Sequence, residues 1–313
     1  MADNPRVAVI GSVNIDICGR PAAAFVPRDS NHGAVTTALG GVGANIARNL
    51  RLLGCDVLLV TALGGDAFAA MAEAQLAREG LDLSAALRVP GARSSTYLYV
   101  TDEAGDMRAA VADMKIQERL DPAFLETRLD ALNARDGVVV DANLSEVSLR
   151  RVCEGVAVPI FADGVSAAKV ERLRGTLPRL TALKVNRIEA ERLTGASIRG
   201  EADLRQAARL LHEQGLVRLC VTLGAQGAYY SGPEGAFLAP ALAPRALVNT
   251  TGAGDALTAG LVWSGLLGEH GKSAVARALA AASLALEAKQ AVNPELSAAR
   301  VRERMNESII KSL

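Results

Sequence analysis

The residues best suited to chemistry lie late in the chain, at Asn249–Asp255 (NTTGAGD), directly ahead of the helical run ALTAGLVWSGLL. Glycines at 252 and 254 let a ligand approach the backbone closely. The helix start behind them offers unpaired N–H groups at the positive end of its dipole, a cradle for an anionic phosphate. Asp255 then stands in the first helical turn, beside the anion. The same residues would also serve as a plain turn with a helix cap. Near the N-terminus, GSVNID sets Asn14 and Asp16 just past a first apolar run, where doubly wound sheets bind ligands. An amide and a carboxylate at that spacing can pair with vicinal hydroxyls. Gly40–Asn45 (GGVGAN) again runs from glycines into a helix and adds Gly41, Gly43 and Asn45 as candidate contacts. In Lys184–Glu191 (KVNRIEAE), Asn186 and Glu189 share one face of a helical turn. One can offer an amide to phosphate while the other holds a magnesium ion through water. That spacing is also a capping box, and both roles can coexist.

These groups need a scaffold. Arg6–Gly11 (RVAVIG) is a short apolar run closed by glycine, the pattern of a buried parallel strand. Similar runs recur at Val57–Leu63, Gly137–Asp141, Val158–Asp163, Leu180–Val185 and Leu219–Leu223. Helical stretches such as Gly43–Leu53 and Ala67–Glu79 lie between them, and Ala256–Lys289 is strongly helical with an Ala-rich face. Strands alternating with helices predict an α/β fold whose parallel sheet is covered on both faces. Two stretches break the pattern. Ile15–Ala38 holds no good helix, and Arg93–Val111 reads as a β-hairpin, with a β-prone run at Thr96–Thr101 and turn residues at Asp102–Gly105. A small β lid built from about residues 15–38 and 93–113 is therefore expected over the strand ends. No repeat, low-complexity segment or linker divides residues 1–313, so a single domain is expected.

Composition narrows the function classes. Half of the 313 residues are hydrophobic, ample for a large core, and Lys plus Arg equals Asp plus Glu at 34 each. A nucleic-acid binder would carry a basic excess. The first apolar stretch is too short for a signal peptide or a membrane span. Cys18, Cys55, Cys153 and Cys220 form no C-x-x-C pair, which argues against structural zinc and a disulfide framework. A cytoplasmic protein without membrane or nucleic-acid partners is expected.

Taken in order, GSVNID, GGVGAN, NRIEAE, VTLGAQG and TTGAGD resemble the motifs of the ribokinase-like sugar and nucleoside kinases, from the first strand to the last helices. The resemblance implies a three-layer sandwich with a mostly parallel central sheet and a small β lid, ATP as phosphoryl donor, and Mg²⁺. It implies that Asp255 is the catalytic base and that Gly252, Ala253 and Gly254 form the anion hole. Thr222, Gly224 and Gly227, with Lys169, Asn186 and Asn249, fall to the ATP side, and Glu189 to the metal.

Within that family the details are most similar to those of members acting on pseudouridine. The similarity rests on Asp29–Ser30–Asn31, Gly40–Gly43, Ala112–Asp113–Met114, Asp141–Ala142–Asn143, Asp163–Ser166 with Lys169, and Asn249. The acceptor would then be the 5′-hydroxyl of pseudouridine, with Asn14, Asp16, Gly41 and Asn45 on its ribose. Ser30, Asn31, Ser95, Thr96, Asp113, Met114 and Asn143 are candidates for the remainder of the substrate. Val42 stands where ribokinases carry Lys, Asn143 where they carry a ribose-binding Glu, and Gly164 where pseudouridine kinases carry Pro. Asn249 replaces an Asp that many relatives use for a monovalent cation, which weakens any need for K⁺. Lids of this kind often pair, so a homodimer is expected. Another ribonucleoside, ribose or fructose kinase, and an inactive nucleotide-binding regulator, are the alternative readings.

Overall fold

The computed structural model describes residues 4–311. Strand β1 (Arg6–Ile10) leads through Ser12 into β2 (Asn14–Pro21) and β3 (Gly33–Gly40), and helix α1 (Val42–Leu52) returns the chain to β4 (Asp56–Val60). A short β5 (Ala62–Leu63), helix α2 (Ala67–Arg78) and β6 (Leu87–Arg88) precede β7 (Thr96–Thr101) and β8 (Met107–Asp113). Two short helices, α3 (Pro122–Glu126) and α4 (Leu129–Asn133), come before β9 (Gly137–Asp141), α5 (Glu146–Gly155) and β10 (Ile160–Asp163). Then follow β11 (Ala182–Asn186), α6 (Arg187–Thr194), α7 (Glu201–Glu213), β12 (Leu219–Thr222), β13 (Ala228–Gly232) and β14 (Gly235–Ala239). Helices α8 (Ala253–Leu266), α9 (Gly271–Ala285) and α10 (Ala298–Lys311) close the chain.

The central sheet has eight strands in the order β14-β13-β12-β11-β10-β9-β1-β4. From β12 to β4 every pairing is parallel, while at one edge β12–β13 and β13–β14 are both antiparallel. Alternate residues of the buried strands feed two separate cores. Val7 and Val9 of β1 join α1, α2 and α8 on one face, while Ala8 and Ile10 join α3, α5 and α7 on the other. That is why these strands read as continuous apolar runs. Helix α8 is apolar almost all round because α9 covers it closely: a Cβ on Gly260 would lie 2.6 Å from the Cα of Ala278.

A second sheet, ordered β3-β2-β7-β8, stands on the carboxyl ends of the main strands. The expected β7–β8 hairpin is present, and Asp102 closes its turn by accepting hydrogen bonds from the backbone N–H groups of Ala104 and Asp106. Residues 15–38, expected as part of the β lid, supply most of β2 and most of β3. The junction of the two halves is a parallel β2–β7 pairing. Only three residues separate β1 from β2, so the small sheet springs directly from the floor of the site.

Candidate active site

Parallel register builds the floor. Asp141 of β9 lies opposite Asp163 of β10, and Asp163 lies opposite Lys184 of β11. Residues in register share a face, so two carboxylates and an ammonium form a row across three adjacent strands beneath α8. All three are buried. Asp163 Oδ2 accepts from Lys184 Nζ at 3.2 Å and from the Thr258 hydroxyl of α8 at 2.6 Å. Asp141 Oδ2 accepts from the backbone N–H of Ser12 at 2.9 Å, and a Cβ on Gly11 would lie 2.5 Å from that same oxygen. Only glycine lets β1 end so close to a buried carboxylate. Burial pushes Asp141 above the usual carboxylate range, against its Ser12 and Asn143 hydrogen bonds, and the nearby Asp163 adds to the rise.

Above this row sits the GAGD loop. Gly252 caps α8 at φ 83°, and a Cβ there would lie 1.9 Å from the carbonyl oxygen of Ala291, so no other residue fits. No side chain caps the helix, which leaves the N–H groups around Ala253 and Gly254 for an anion. A Cβ on Gly254 would meet Lys184 Nζ at 3.0 Å, so the buried ammonium lies directly under the loop. Burial lowers the affinity of Lys184 for its proton, but Asp163, Asp255 and Glu189 outweigh this and hold it above its ordinary value. Asp255, in the first turn, accepts a 2.8 Å hydrogen bond from Asn45 Nδ2 of α1, 210 residues away in sequence. Burial raises Asp255 most, Asp163 and Asp141 raise it further, and Lys184 and Asn45 oppose them; the result is about 7. A carboxylate at that value can accept a proton near neutrality.

Asn186 and Glu189 form a capping box at the start of α6: Asn186 Oδ1 accepts from the N–H of Glu189, and Glu189 accepts from the N–H of Asn186. Glu189 is buried, and burial raises its carboxyl against the pull of Lys184 and Asn186. Among the described residues no group of three His, Cys, Asp or Glu is arranged to hold a metal ion.

Beside the loop opens a largely apolar cleft of about 680 Å³. Thr222, Gly224 and Gly227 line one wall, Leu257, Leu279 and Leu286 another, and Ala253 and Gly254 its inner end. Asn249 lies outside this lining, donating to the carbonyl of Lys289 and accepting from the N–H of Thr251. Lys169 donates to Asn143 Oδ1, and Asn143 Nδ2 donates to Ser12 Oγ at 2.9 Å, which links both to the Asp141 end of the row. Burial lowers Lys169, with Asp141 opposing.

On the other side of Asp255, Asn14 Nδ2 donates to Asp16 Oδ1 at 2.5 Å. Both pack against the glycine loop: Cβ atoms on Gly40 and Gly41 would meet Asp16 Oδ2 at 2.4 Å and Asn14 Oδ1 at 3.0 Å, and one on Gly43 would strike Gly11. Burial brings Asp16 up to about 6, with the Asn14 hydrogen bond opposing. If Asp16 pairs with an acceptor hydroxyl, Asp16→Ala would leave that hydroxyl unpaired in a closed site, at about 1–3 kcal/mol. The expected result is a roughly 5- to 150-fold loss of kcat/KM on a ribo acceptor and a much smaller loss on its 2′-deoxy form. Equal losses on both would remove Asp16 from ribose recognition.

The remaining candidates are dispersed. Asn31 spends its side chain on the backbone of Val26 and Asp29, and the N–H of Ser30 donates to Asp29. Ser95 is buried, its hydroxyl accepting from Gln117. Thr96 and Asp113 lie opposite one another and in register with Ile15, on the face of the small sheet away from Asp16. Met114 follows at the strand end, half-buried.

Residues 4–298 match the pfkB family carbohydrate kinase pattern. The chain belongs to this kinase family. It is 36% identical over 302 residues to pseudouridine kinase of Escherichia coli, covering 96% of both chains. Its fold superposes on Arabidopsis thaliana ribokinase complexed with ribose and ATP at a TM-score of 0.86, with 22% identity, over 96% of this chain and 99% of that one. A Burkholderia thailandensis nucleoside kinase in complex with inosine follows at 0.78, with 19% identity and 96% of each chain.

As a pfkB-family kinase the chain is a phosphotransferase with an alcohol acceptor. Against that chemistry, reading the sequence overlooked the kinase's buried charge row. Asp163, Lys184 and Thr258 stand in or near quoted motifs, yet none was singled out as a site residue. A charged residue closing an otherwise apolar strand was the available signal: IFAD ends in Asp163, and Lys184 interrupts ALKVN.

Proposed function

We propose that this kinase transfers the γ-phosphoryl group of ATP to the 5′-hydroxyl of pseudouridine, giving pseudouridine 5′-phosphate and ADP. The carrying observation is the 36% identity with a pseudouridine kinase sustained over 96% of both chains. The apolar cleft fits a nucleotide base and ribose, with the phosphates directed at the open N-terminus of α8. Asp255 takes the proton of the acceptor hydroxyl as it attacks, and the N–H groups of residues 252–254 with Lys184 beneath them offset charge on the transferred group. When bound, Mg²⁺ would offset charge on the phosphates, and an ion held largely through water needs only one or two carboxylates. Glu189 with Asn186 fits that modest demand. Asn14 and Asp16 hold the ribose hydroxyls.

Asn249 has its amide committed to Lys289 and Thr251, which favours a kinase with little need for K⁺. The zero net charge and the absence, among the described residues, of a helix long and apolar enough to cross a membrane favour a cytoplasmic enzyme acting on small molecules. Val35, Leu98 and Val111 are exposed on the outer side of the small sheet, and a second copy of the chain packed there, as a homodimer, would cover them.

The test is coupled ATP consumption with pseudouridine, uridine, ribose, adenosine and fructose as acceptors. Pseudouridine carries a free N1–H that uridine lacks, and sites built around such a donor reject the analogue by up to ~10⁴–10⁵-fold. We expect pseudouridine to give the highest kcat/KM. A pseudouridine-to-uridine ratio near one would overturn the substrate assignment and leave the kinase assignment standing.

A further inference from the structure

The small sheet has two faces, and strand alternation assigns each residue to one of them. The registers Asp16↔Tyr97↔Ala112 and Cys18↔Tyr99↔Ala110 place these six residues together on one face. Ala38, opposite Asp16 on β3, joins them. Asp16 is already tied to the reaction centre: its Asn14 partner meets the Gly41 turn, and the helix starting there delivers Asn45 to Asp255. The face that carries Asp16 is thus the face turned toward the site.

Two aromatic rings occupy it. Tyr97 and Tyr99 stand two residues apart on β7, their centroids 5.5 Å apart and their planes tilted by 32°. Both are half-buried, so part of each ring stays open. Across β8 their partners carry only methyl groups, at Ala112 and Ala110, and across β2 they are Asp16 and Cys18. The Tyr97 hydroxyl reaches Met107 Sδ at 3.6 Å, while the small side chains beside both rings leave room against them. Adjacent strands lie about 4.8 Å apart and alternate residues about 6.6 Å, so a sugar held at Asp16 has its attached base within reach of both rings. An aromatic pair beside a sugar-binding carboxylate, flanked by alanines, matches the chemistry of a nucleobase.

We propose that Tyr97 and Tyr99 form the platform on which the acceptor's base stacks, and so set the preference for a nucleoside over a bare sugar. This rests on the nucleoside-kinase reading above. It also moves base recognition from Asp113 and Thr96, on the opposite face, to the tyrosine pair.

The experiment measures kcat/KM for pseudouridine and for ribose with the full chain, in wild type, Tyr97→Leu, Tyr99→Leu, Tyr97→Phe and Ala112→Leu. Losing one ring should lower kcat/KM for pseudouridine by roughly 5- to 150-fold, the usual worth of one base on one aromatic, and change that for ribose less than twofold. Tyr97→Phe keeps the ring and should stay close to wild type. Ala112→Leu keeps both tyrosines but fills the room beside them, and should weaken pseudouridine selectively. Equal losses with both acceptors, or no loss with pseudouridine, overturn the platform. If wild type prefers a different nucleoside, the substrate assignment fails, and the same comparison with that nucleoside decides the platform. If wild type prefers ribose to every nucleoside, both fall.

Discussion

Asp255→Asn is expected to lower kcat by roughly 10²–10⁴-fold while leaving ATP affinity nearly unchanged, the usual worth of a general base. The substitution keeps the shape and the hydrogen-bonding distance to Asn45, so the loss reports proton acceptance. In wild type, Asp255 at about 7 must be ionised to act, so kcat/KM should rise with pH through that region and level off above it. In the asparagine variant that limb should vanish. Stability should move the other way. A carboxyl whose folded pKa lies above its unfolded value binds more protons when folded, so wild type loses stability as pH rises from about 4 to about 7. Asp255→Asn removes that loss and should unfold at a higher temperature than wild type at pH 8. Retention of most activity, or an unchanged acid limb, would refute the assignment.

Lys184→Met is expected to destabilise the fold by about 3–5 kcal/mol, because it leaves Asp163 buried and unbalanced. Lys184 is the ammonium bonded to Asp163, and its charge also holds down Asp255. The second consequence is separable from the first: the acid limb of kcat/KM should shift to higher pH. Asp163→Asn combined with Lys184→Met removes both charges. That pair should recover much of the stability lost in the single variant, as replaced buried ion pairs often do. It should not recover the activity, since the charge beneath the GAGD loop stays absent. Denaturant unfolding and pH–rate profiles of wild type and the two variants distinguish these effects. A stable Lys184→Met with a wild-type pH profile would show that the ammonium has neither role.

The layered α/β fold was legible because its signals are local. RVAVIG is β1 to within a residue, and Ala67–Glu79 became α2 one residue shorter. Val57–Leu63 proved to be two strands, β4 and β5, and the long C-terminal helical stretch breaks at Gly268, where φ is 75°. The β13–β14 hairpin was missed, since AYYSG and GAFLA lie in a glycine-rich stretch without clear alternation. The parallel β2–β7 pairing was out of reach because nothing between residues 21 and 96 encodes it locally. The site divides along the same line. Asn186 with Glu189, three residues apart, could be read directly. The pairing of Asn45 with Asp255 and the charge row of Asp141, Asp163 and Lys184 depend on which strands become neighbours. The facing of Asp113 depends on register, and a one-residue slip would reverse it.

The charge row has a consequence for evolution under heat. Asp141, Glu189 and Asp255 all hold their protons more tightly in the folded chain than out of it, so near neutral pH each works against folding. Random substitution with selection for thermal tolerance alone would therefore find its easiest gains at these strand ends, by trading carboxylates for amides. Where those carboxylates serve the proposed reaction, as Asp255 and Glu189 would, the survivors would be sturdy proteins with the same architecture and an empty repertoire. A screen that demands turnover and heat resistance together would leave these positions alone and draw its improvements from the rest of the molecule.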